Sequence, residues 1–246
     1  KLLKKIMLSS TYRQSAKVKE RSLNKDPENK YLSRAPRTRL KAEFIRDMVL
    51  ESSGLLTATI GGQSVKPYQP KGLWEAATSG RGELNVYRQD KDSSLYRRGM
   101  YTFIKLTVPP PSMMIFDASN RDQCEVNRLQ TNTPLQALVM MNDPTVLEAS
   151  RVLAQKLVAS GNNETENIRT AFRRIICRAP GEKEMKVLTD YYKDQEGKFK
   201  TKTLDARKTL DIGEYPQHEK ADPVQSAALM KVIQTIYNME EAITKS

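Results

Sequence analysis

Residues 128–144, RLQTNTPLQALVMMNDP, contain two predicted helix starts within twelve positions. Thr133 and Asp143 each precede a proline, so a capping side chain stands directly before a proline at the first helical position. Gln136 follows Thr133 by three residues, which is the spacing of a capping box. The stretch therefore predicts a short helix followed at once by a second one. Three apolar side chains are expected in the core: Leu135, Leu138 and Val139.

Helical signals also dominate outside this stretch. DPEN at Asp26 and DPVQ at Asp222 repeat the cap-and-proline device, and the helix from Asp222 is expected to run almost to the C-terminus. Thr38 is the expected N-cap of a helix that ends before Gly54. SLYRRGMYTFIKLT, residues 94–107, is interpreted as a further helix. Residues 168–176 carry an apolar stripe at the helical period.

The helical signal fades over 54–94, where glycine and proline are frequent. We expect a long irregular loop there, held to the core by Tyr68, Leu73 and Trp74, with a short strand or one short β-hairpin at TATIGGQSV, residues 57–65. The predicted fold class is mainly α: an irregular multi-helix domain with a long Gly/Pro-rich loop region. We expect 1–246 to form one largely helical domain, with 180–246 as its C-terminal helical tail.

Composition narrows the class of protein. Hydrophobic residues make up 38% and charged residues 28% of the 246 residues, and no apolar run approaches the roughly 20 residues that span a bilayer. We therefore expect no transmembrane segment. KLLKKIMLSS lacks the features of a signal peptide and resembles the end of an amphipathic helix, so we expect the chain to be a fragment of a longer protein.

Cysteine and histidine are too few for several kinds of site. Cys124 and Cys177 have neither the CxxC nor the CxxCH spacing, and His218 is the one histidine. Metal sites built from several histidines are excluded, and we expect no metal and no cofactor in this segment. A disulfide between Cys124 and Cys177 and two unrelated buried thiols remain equally open.

The positive charge is concentrated in the first part of the chain. Residues 1–106 carry 22 Lys and Arg against 10 Asp and Glu, whereas residues 107–246 carry 19 of each. Such a surface attracts nucleic acid, an acidic membrane, a sulfated or uronic polysaccharide, or an acidic protein. A solvated basic surface without a ligand is the alternative. Nucleic acid is the weakest of these partners, because no zinc finger, RNP-like motif or phosphate loop is present.

Three groups of polar residues are candidate sites. The first is an arginine cluster suited to carboxylate, sulfate or phosphate, and its alternative role is pairing with Glu43, Asp47 or Asp117. Its members are Arg13, Arg34, Arg37, Arg39, Arg97 and Arg98. The second is a carboxylate set for acid–base work on a glycosidic bond, or for structural ion pairs. It consists of Asp117, Asp122 and Glu125.

The third candidate is residues 128–144 themselves. Free N–H groups at the two helix starts are suited to an anion, with Arg128 assisting, and plain capping is the alternative. Capping explains Thr133, Gln136 and Asp143. Capping does not explain Arg128 and Asn132, so these two residues are the candidates for a functional role in this stretch.

Five motifs in order resemble one known family. They are IMLSSTYRQS, PRTRLKAEFIRD, GGQSVKPYQPKGLW, YRRGMYTFIKLTVPPPSMMIFDASNRDQCEVNR and TNTPLQALVMMNDP. They resemble the C-terminal domain of large Planctomycete-type multidomain proteins, catalogued as domain of unknown function number fifteen fifty-three. The resemblance is strong to about Ala179. Leu106 and Ser119 depart from it, where a basic residue and a proline would be expected.

The resemblance implies an architecture and no established activity. Members are typically exported, with an upstream cytochrome-c-like domain, so we expect haem only in an upstream domain and a periplasmic or cell-surface location. The expected partners are the upstream domains and an acidic or sulfated polysaccharide. The motifs carry over Tyr12, Arg13, Gln14, Arg37, Arg39, Arg46, Asp47, Trp74, Arg97, Asp117, Arg121, Cys124, Arg128, Asn132, Thr133, Pro134, Gln136, Asn142 and Asp143.

The preferred functional hypothesis is an accessory binding or scaffold module of an exported multidomain protein, linked to acidic polysaccharide use. Its expected ligand-binding residues are Arg13, Arg37, Arg39, Arg97, Asp117, Arg128 and Asn132. One alternative is a carbohydrate-active enzyme domain using Asp117 with Glu125 or Asp122. The other alternative is nucleic-acid binding through the basic first part.

Overall fold

A computed structural model of the chain describes residues 1–78, 81–82, 84–119, 121, 124 and 126–245. These residues contain α-helices and one two-stranded sheet. The helices are α1 Leu2–Leu8, α2 Glu20–Lys25, α3 Ala42–Ser53, α4 Leu73–Thr78, α5 Pro111–Ile115, α6 Pro134–Asn142, α7 Pro144–Ala159, α8 Glu164–Ile176, α9 Glu182–Lys200, α10 Ala206–Leu210, α11 Pro223–Tyr237 and α12 Glu240–Ile243. The strands are β1 Thr38–Arg39 and β2 Thr244–Lys245.

The chain divides into two compact units. Unit 1 comprises Lys1–Leu40 with Ile243–Ser246, and unit 2 comprises Lys41–Ala242. The predicted mainly α fold with one short antiparallel pair of strands is confirmed. The description of 1–246 as one domain stays a prediction.

The strand pair lies within unit 1. Thr38 pairs with Lys245 and Arg39 with Thr244 in antiparallel register, which makes Thr38 a strand residue. The prediction that Thr38 caps a helix is wrong, because α3 begins four residues later. The predicted helix start at Asp26 is also wrong. Asp26 follows α2, and its carboxylate accepts hydrogen bonds from the backbone N–H groups of Lys30 and Tyr31, at 2.7 and 3.1 Å.

Helix α11 is the centre of unit 2. It packs against α7, α8, α9 and α10, and most of its residues from Ser226 to Tyr237 are buried, with Lys231, Gln234 and Thr235 on its less buried side. The Asp222 carboxylate caps it by accepting from the backbone N–H of Gln225 at 2.8 Å. Asp143 caps α7 in the same way, accepting from the Thr145 N–H at 2.8 Å. Both predicted helix starts are confirmed, although α11 ends at Tyr237 and α12 follows it.

Two of the three side chains expected in the core lie on the outside of α6, and the third, Val139, is half-buried. Leu135 and Leu138 are 51% and 55% exposed, whereas Gln136 and Met140 are each 1% exposed. The Thr133 side chain makes no capping hydrogen bond. The Gln136 side-chain amide donates instead to the backbone carbonyl oxygens of Ile115 and Thr131, at 3.0 and 3.1 Å. The inward amide fixes the rotation of the helix and leaves an apolar stripe on the outside.

Residues 94–107 do not form the predicted helix. This part of the chain contains two short 3-10 helices, Asp92–Tyr96 and Gly99–Tyr101. Between and after them, isolated bridges pair Arg97 with Thr57 and Thr102 with Val65, both parallel. The expected hairpin residues 57–65 therefore pair with this segment rather than with each other. Long-range pairing has overridden the helical pattern here.

The segment 54–94 is largely irregular apart from α4. Trp74, in α4, is fully buried and meets Tyr87 edge to face, with 5.0 Å between ring centroids. The Lys105 ammonium lies 4.5 Å from the centre of the Trp74 ring. Tyr68 and Leu73 are half-buried. The predicted aromatic anchoring is confirmed at Trp74, whose ring contacts Tyr87 within the segment and Phe103 beyond it.

Candidate functional site

The guanidinium of Arg97 holds the glycine turn of residues 59–63. Arg97 is 8% exposed, and it donates to the backbone carbonyl oxygens of Gln63, Thr59 and Gly61 at 2.9, 3.1 and 2.5 Å. The Tyr101 ring lies 3.9 Å from its central carbon. Both terminal nitrogens of Arg97 are therefore engaged within the chain, in a role that fastens a loop.

Two ion pairs on α3 fix the segments that follow. The Arg98 Nε donates to Asp47 at 2.8 Å, and the other Asp47 oxygen accepts from the backbone N–H of Gly99 at 2.6 Å. A Cβ placed on Gly99 would lie 2.7 Å from the carbonyl oxygen of Glu43, so only glycine allows this approach. The Arg128 Nη1 donates to both carboxylate oxygens of Glu43 at 2.9 Å. These pairs match the architectural alternative for the arginines.

The Asp117 carboxylate accepts from the backbone N–H and the hydroxyl of Thr131, at 2.8 and 3.0 Å. Asp117 has a φ of 55°, an uncommon conformation for a residue other than glycine. The Thr131 hydroxyl in turn accepts from Gln136 at 3.2 Å, so Asp117 joins the corner that leads into α6. Asp122 and Glu125, the proposed catalytic partners of Asp117, lie outside the described residues.

The other predicted ligand-binding residues lie in two places. Arg13, Arg37 and Arg39 belong to unit 1, where Arg13 and Arg37 are exposed and Arg39 is half-buried. Arg34 of the same unit donates to the carbonyl oxygens of Asp26 and Pro27 at 2.9 and 2.7 Å. Asn132 is an exposed residue of unit 2. The structure thus brings Asp117 to the α6 corner, while Arg97 and Arg128 bind separate segments.

A buried acidic residue missed by the sequence reasoning stands at the centre of unit 2. Glu148 on α7 is 0% exposed. Its carboxylate accepts from the hydroxyls of Tyr68 and Tyr96, both at 3.0 Å, and from the backbone N–H of Tyr215 at 2.7 Å. Burial, and next the negative charge of Glu148, raise the pKa of Tyr68 and Tyr96, so both remain neutral donors.

Arg151 lies one helical turn beyond Glu148 and is equally buried, with its Nη2 3.7 Å from the Glu148 Oε1. It donates to the carbonyl oxygens of Ile212 and Tyr215 at 2.9 and 2.6 Å, and to the Gln155 side chain at 3.0 Å. Burial lowers the pKa of Arg151, and the charge of Glu148 opposes that change. Glu148 and Arg151 therefore hold residues 212–215 against α7, which is a structural role.

Sequence signals for this pair exist but are weak. Glu148, Arg151 and Gln155 recur at three and four residues within a helix whose other inward positions are small or aliphatic. Polar residues at core spacing on an apolar helix indicate a buried network. The carbonyl groups that Arg151 binds come from more than sixty positions away, so the partners were not visible in the local pattern.

A cavity of about 50 Å³ lies between α3, α5, α6 and α7. Its walls are mainly apolar, and Arg46, Thr102 and Asp143 are among its polar lining residues. The Arg46 guanidinium donates to the Leu95 carbonyl oxygen at 2.5 Å and to the Thr145 hydroxyl at 3.3 Å. Burial lowers the pKa of Arg46, and the charges of Asp143 and Asp47 oppose that change. This cavity therefore combines a mainly apolar wall with a few polar side chains.

Cysteine, metal and membrane features add little. Cys124 and Cys177 are both free and exposed, so neither the disulfide nor the pair of buried thiols is present. Within the described ranges, no group of three or more histidine, cysteine and acidic residues is placed to hold a metal ion. None of the helices among those residues combines the length and the apolar character needed to cross a bilayer.

Comparison with known proteins gives one positive result. Searches of curated proteins and of solved structures yield no significant match. A family model, PSD1, described as "Protein of unknown function (DUF1553)", matches residues 1–192. The match covers unit 2 from α3 into α9, together with most of unit 1. The chain therefore belongs to the PSD1 family of proteins of unknown function, DUF1553.

Proposed function

We propose that this chain is an accessory module that binds an acidic polysaccharide through unit 1, while unit 2 serves as a rigid scaffold. The observation that carries the proposal is the charge of residues 1–40, which contain twelve lysines and arginines and three acidic residues. All but Arg34 and Arg39 of those twelve are exposed. A compact unit with this excess attracts polyanions over about one Debye length, roughly 8 Å at physiological salt.

The contacts of unit 2 support the division of roles. Glu43 and Asp47 are paired with Arg128 and Arg98, and Arg97 is bound to loop carbonyl groups. These charged side chains are already paired within the chain, so they are not available to a charged ligand. The remaining excess of positive charge therefore belongs to unit 1. Tyr31, which is 84% exposed there, offers a flat face for a sugar ring, whereas the Lys245 ammonium lies 4.5 Å from the centre of the Tyr12 ring.

The setting of the module follows from the resemblance and is part of the proposal. The chain would belong to an exported, multidomain protein at the periplasm or cell surface, with any haem held by an upstream cytochrome-c-like domain. The upstream domains are then its second class of partner. An enzymatic role for Asp117 gains no support from its position, because both of its oxygens accept hydrogen bonds from Thr131.

Calorimetric titration of the whole chain with dextran sulfate and polygalacturonate tests the proposal, with neutral dextran as the reference. The charge-reversal variant Lys17→Glu/Lys19→Glu/Arg21→Glu should lose at least about tenfold in affinity, since each contact to an anionic polymer adds a salt-sensitive increment. Affinity of the unaltered chain should fall steeply as salt rises.

A matched variant separates a site from bulk charge. Lys183→Glu/Lys186→Glu/Lys193→Glu makes the same change in formal charge on exposed positions of α9. It should retain most of the affinity. Equal losses in the two variants, or no binding of either polyanion, would overturn the proposal. Tighter binding of duplex DNA than of both polysaccharides would indicate that the ligand is nucleic acid and not a glycan.

A further inference from the structure

Unit 1 contains an open groove of about 650 Å³ between residues 16–18 and residues 28–37. The Ala35 N–H donates to the Ser15 carbonyl oxygen at 3.1 Å, which joins the two sides of the groove. The Asn29 side-chain amide donates to a backbone carbonyl oxygen five positions later at 2.9 Å, which fixes the turn between them. Hydrogen bonds within the chain therefore shape the groove before a ligand enters.

Leu32 stands in the wall of this groove in a backbone conformation that leucine rarely adopts. Its φ is 52°, in the left-handed region, and the residue is 54% exposed. The Gln14 side-chain amide donates to the Leu32 carbonyl oxygen at 2.8 Å. A left-handed backbone costs free energy for a residue with a bulky side chain, and an exposed leucine recovers little of that cost by burial. Such local strain accompanies sites that meet a ligand.

Apolar side chains make up half of the groove lining. They are Ala16, Val18, Leu32, Ala35 and Pro36. Val18 is 56% exposed, much like Leu32. Aliphatic side chains in an open groove can pack against the C–H face of a pyranose ring, which removes apolar surface of both from water. The groove therefore offers a ligand more than a charged surface.

Cationic side chains line the same groove. They are Lys17, Arg34 and Arg37, of which Lys17 and Arg37 are exposed. A guanidinium matches the planar geometry of a carboxylate, and an ammonium attracts it as a point charge. Glu28 is the one acidic residue among the described residues of the lining, and its carboxylate lies 3.1 Å from the Lys30 ammonium. The excess of positive charge selects an anionic ligand.

A uronic acid unit matches both parts of this lining. Each unit has one carboxylate and an otherwise uncharged ring, so its anionic group and its apolar face can be bound side by side. A densely sulfated polymer has more charge per sugar and less bare ring surface. It would therefore gain from the cations of unit 1 and little from the apolar wall.

We infer that this groove binds the uronic acid units of a polysaccharide, with the carboxylate at Lys17 and Arg37 and the ring face against Val18 and Leu32. The inference rests on the proposed binding of an acidic polysaccharide by unit 1. It narrows that ligand class from polyanions in general to polyuronates. It also makes affinity depend on an uncharged side chain, which attraction between charges alone does not.

Calorimetric titration of the whole chain with the substitution Leu32→Asn tests the inference, because the change removes apolar wall and leaves the net charge unaltered. Asparagine tolerates the left-handed conformation, so the variant should fold with an unchanged or higher melting temperature. Its affinity for polygalacturonate should fall about fivefold, as expected from the loss of part of one apolar contact. Its affinity for dextran sulfate should stay within about twofold of that of the unaltered chain, because that binding depends on charge.

Two controls accompany this variant. Leu23 belongs to the same unit, is 45% exposed and is not among the lining residues of the groove, so Leu23→Asn should change the affinity for neither polymer. Poly-L-glutamate has one carboxylate per unit but no pyranose ring. It should bind the unaltered chain more weakly than polygalacturonate does.

The decisive result against the inference is full affinity of the Leu32→Asn chain for polygalacturonate while the Lys17→Glu/Lys19→Glu/Arg21→Glu chain loses it. That combination would leave the proposed function intact. Equal losses for both polymers in Leu32→Asn, or tighter binding of poly-L-glutamate than of polygalacturonate, would also overturn the inference. No binding of either polysaccharide by the unaltered chain would overturn the inference and the proposed function together.

Discussion

Glu148 and Arg151 form an ion pair that is completely buried, one turn apart on α7, with 3.7 Å between Oε1 and Nη2. A second pair in the chain has the same three-residue spacing in the open. Glu166 and Arg169 on α8 lie 3.0 Å apart, and both side chains are 46% exposed. The two pairs separate the effect of burial from the effect of spacing.

Glu148→Gln should lower the free energy of unfolding by about 3 kcal/mol, because it leaves the buried charge of Arg151 without compensation. Glu166→Gln should lower it by less than about 1 kcal/mol, as expected of an exposed pair. Urea unfolding of both variants measures the difference. Similar losses would show that Glu148 is not isolated from solvent.

Gly213→Ala should be destabilising for two reasons. Gly213 has a φ of 79°, and an added Cβ would lie 2.2 Å from the carboxyl carbon of Glu148. The expected loss is about 3 kcal/mol, from backbone strain and overpacking together.

The glycine at 161 is the control for the strain alone. Gly161 has a φ of 77° and nothing within 4 Å of an added Cβ. Gly161→Ala should therefore lose only about 1 kcal/mol. Thermal unfolding of the two variants provides the comparison, and equal losses would contradict the close contact between Gly213 and Glu148.

Arg97→Lys should loosen the turn of residues 59–63. Lysine keeps the charge but loses the planar fork that serves several carbonyl oxygens, so we expect a loss of about 2 kcal/mol. Hydrogen–deuterium exchange should be faster in peptides that cover 57–65. Arg169→Lys, on the exposed surface of α8, should leave exchange there unchanged, and an Arg97→Lys chain with ordinary protection would contradict the role of Arg97.

Acid should weaken the ion pair between Glu184, in the first turn of α9, and Arg178, which precedes that helix. The hydrogen bonds from Arg178 lower the pKa of Glu184 to about 2, against partial burial, from an ordinary value of 4.5. A lowered folded-state pKa stabilises above the unfolded value and loses that stabilisation as pH falls toward the folded one. The contribution of Glu184 should therefore decline between about pH 4.5 and pH 2.

The measurement is unfolding free energy from pH 6 to pH 2 in wild type and Glu184→Gln. The difference between them should be largest near neutral pH and shrink through that window, and it should be small because Glu184 is partly solvated and screened. Glu182→Gln on the same turn controls for general effects of acidic charge near the helix N-terminus. A difference that grows on acidification would contradict the sign.

The orientation of α6 predicts a small loss of stability from one substitution and a large loss from another two positions away. Leu138→Ala should change stability by less than about 0.5 kcal/mol because Leu138 is exposed. Met140→Ala should cost about 3 kcal/mol because Met140 is buried. Chemical denaturation distinguishes them. A large loss at Leu138 with little at Met140 would restore the orientation first expected from the sequence.

Local signals predicted the parts of the fold that local chemistry determines. The caps at Asp143 and Asp222, the αL glycine at Gly54 and the buried stripe of α8 were all visible in the sequence, because each depends on residues a few positions apart. The α6 orientation was not, because apolar residues occupy both faces of that helix. The inward amide of Gln136 decides between them, and its acceptors lie outside the helix.

Non-local contacts explain the remaining errors. Residues 94–107 have a helical pattern, but Arg97 and Thr102 form backbone bridges with Thr57 and Val65, and this pairing is incompatible with a continuous helix. The arginine cluster predicted from sequence is divided between the two units. The place of Arg46 in a cavity wall is not predictable from local sequence, because the cavity is formed by segments about a hundred positions apart.

The three hydrogen bonds to Glu148 also have a consequence for how unit 2 folds. Their donors, Tyr68, Tyr96 and the Tyr215 N–H, lie 80, 52 and 67 positions along the chain from it. Closing loops of this length slows folding, and the carboxylate loses its water only when both flanking segments have arrived. We therefore expect helices α7 and α11 to associate before Tyr68, Tyr96 and Tyr215 reach the Glu148 carboxylate.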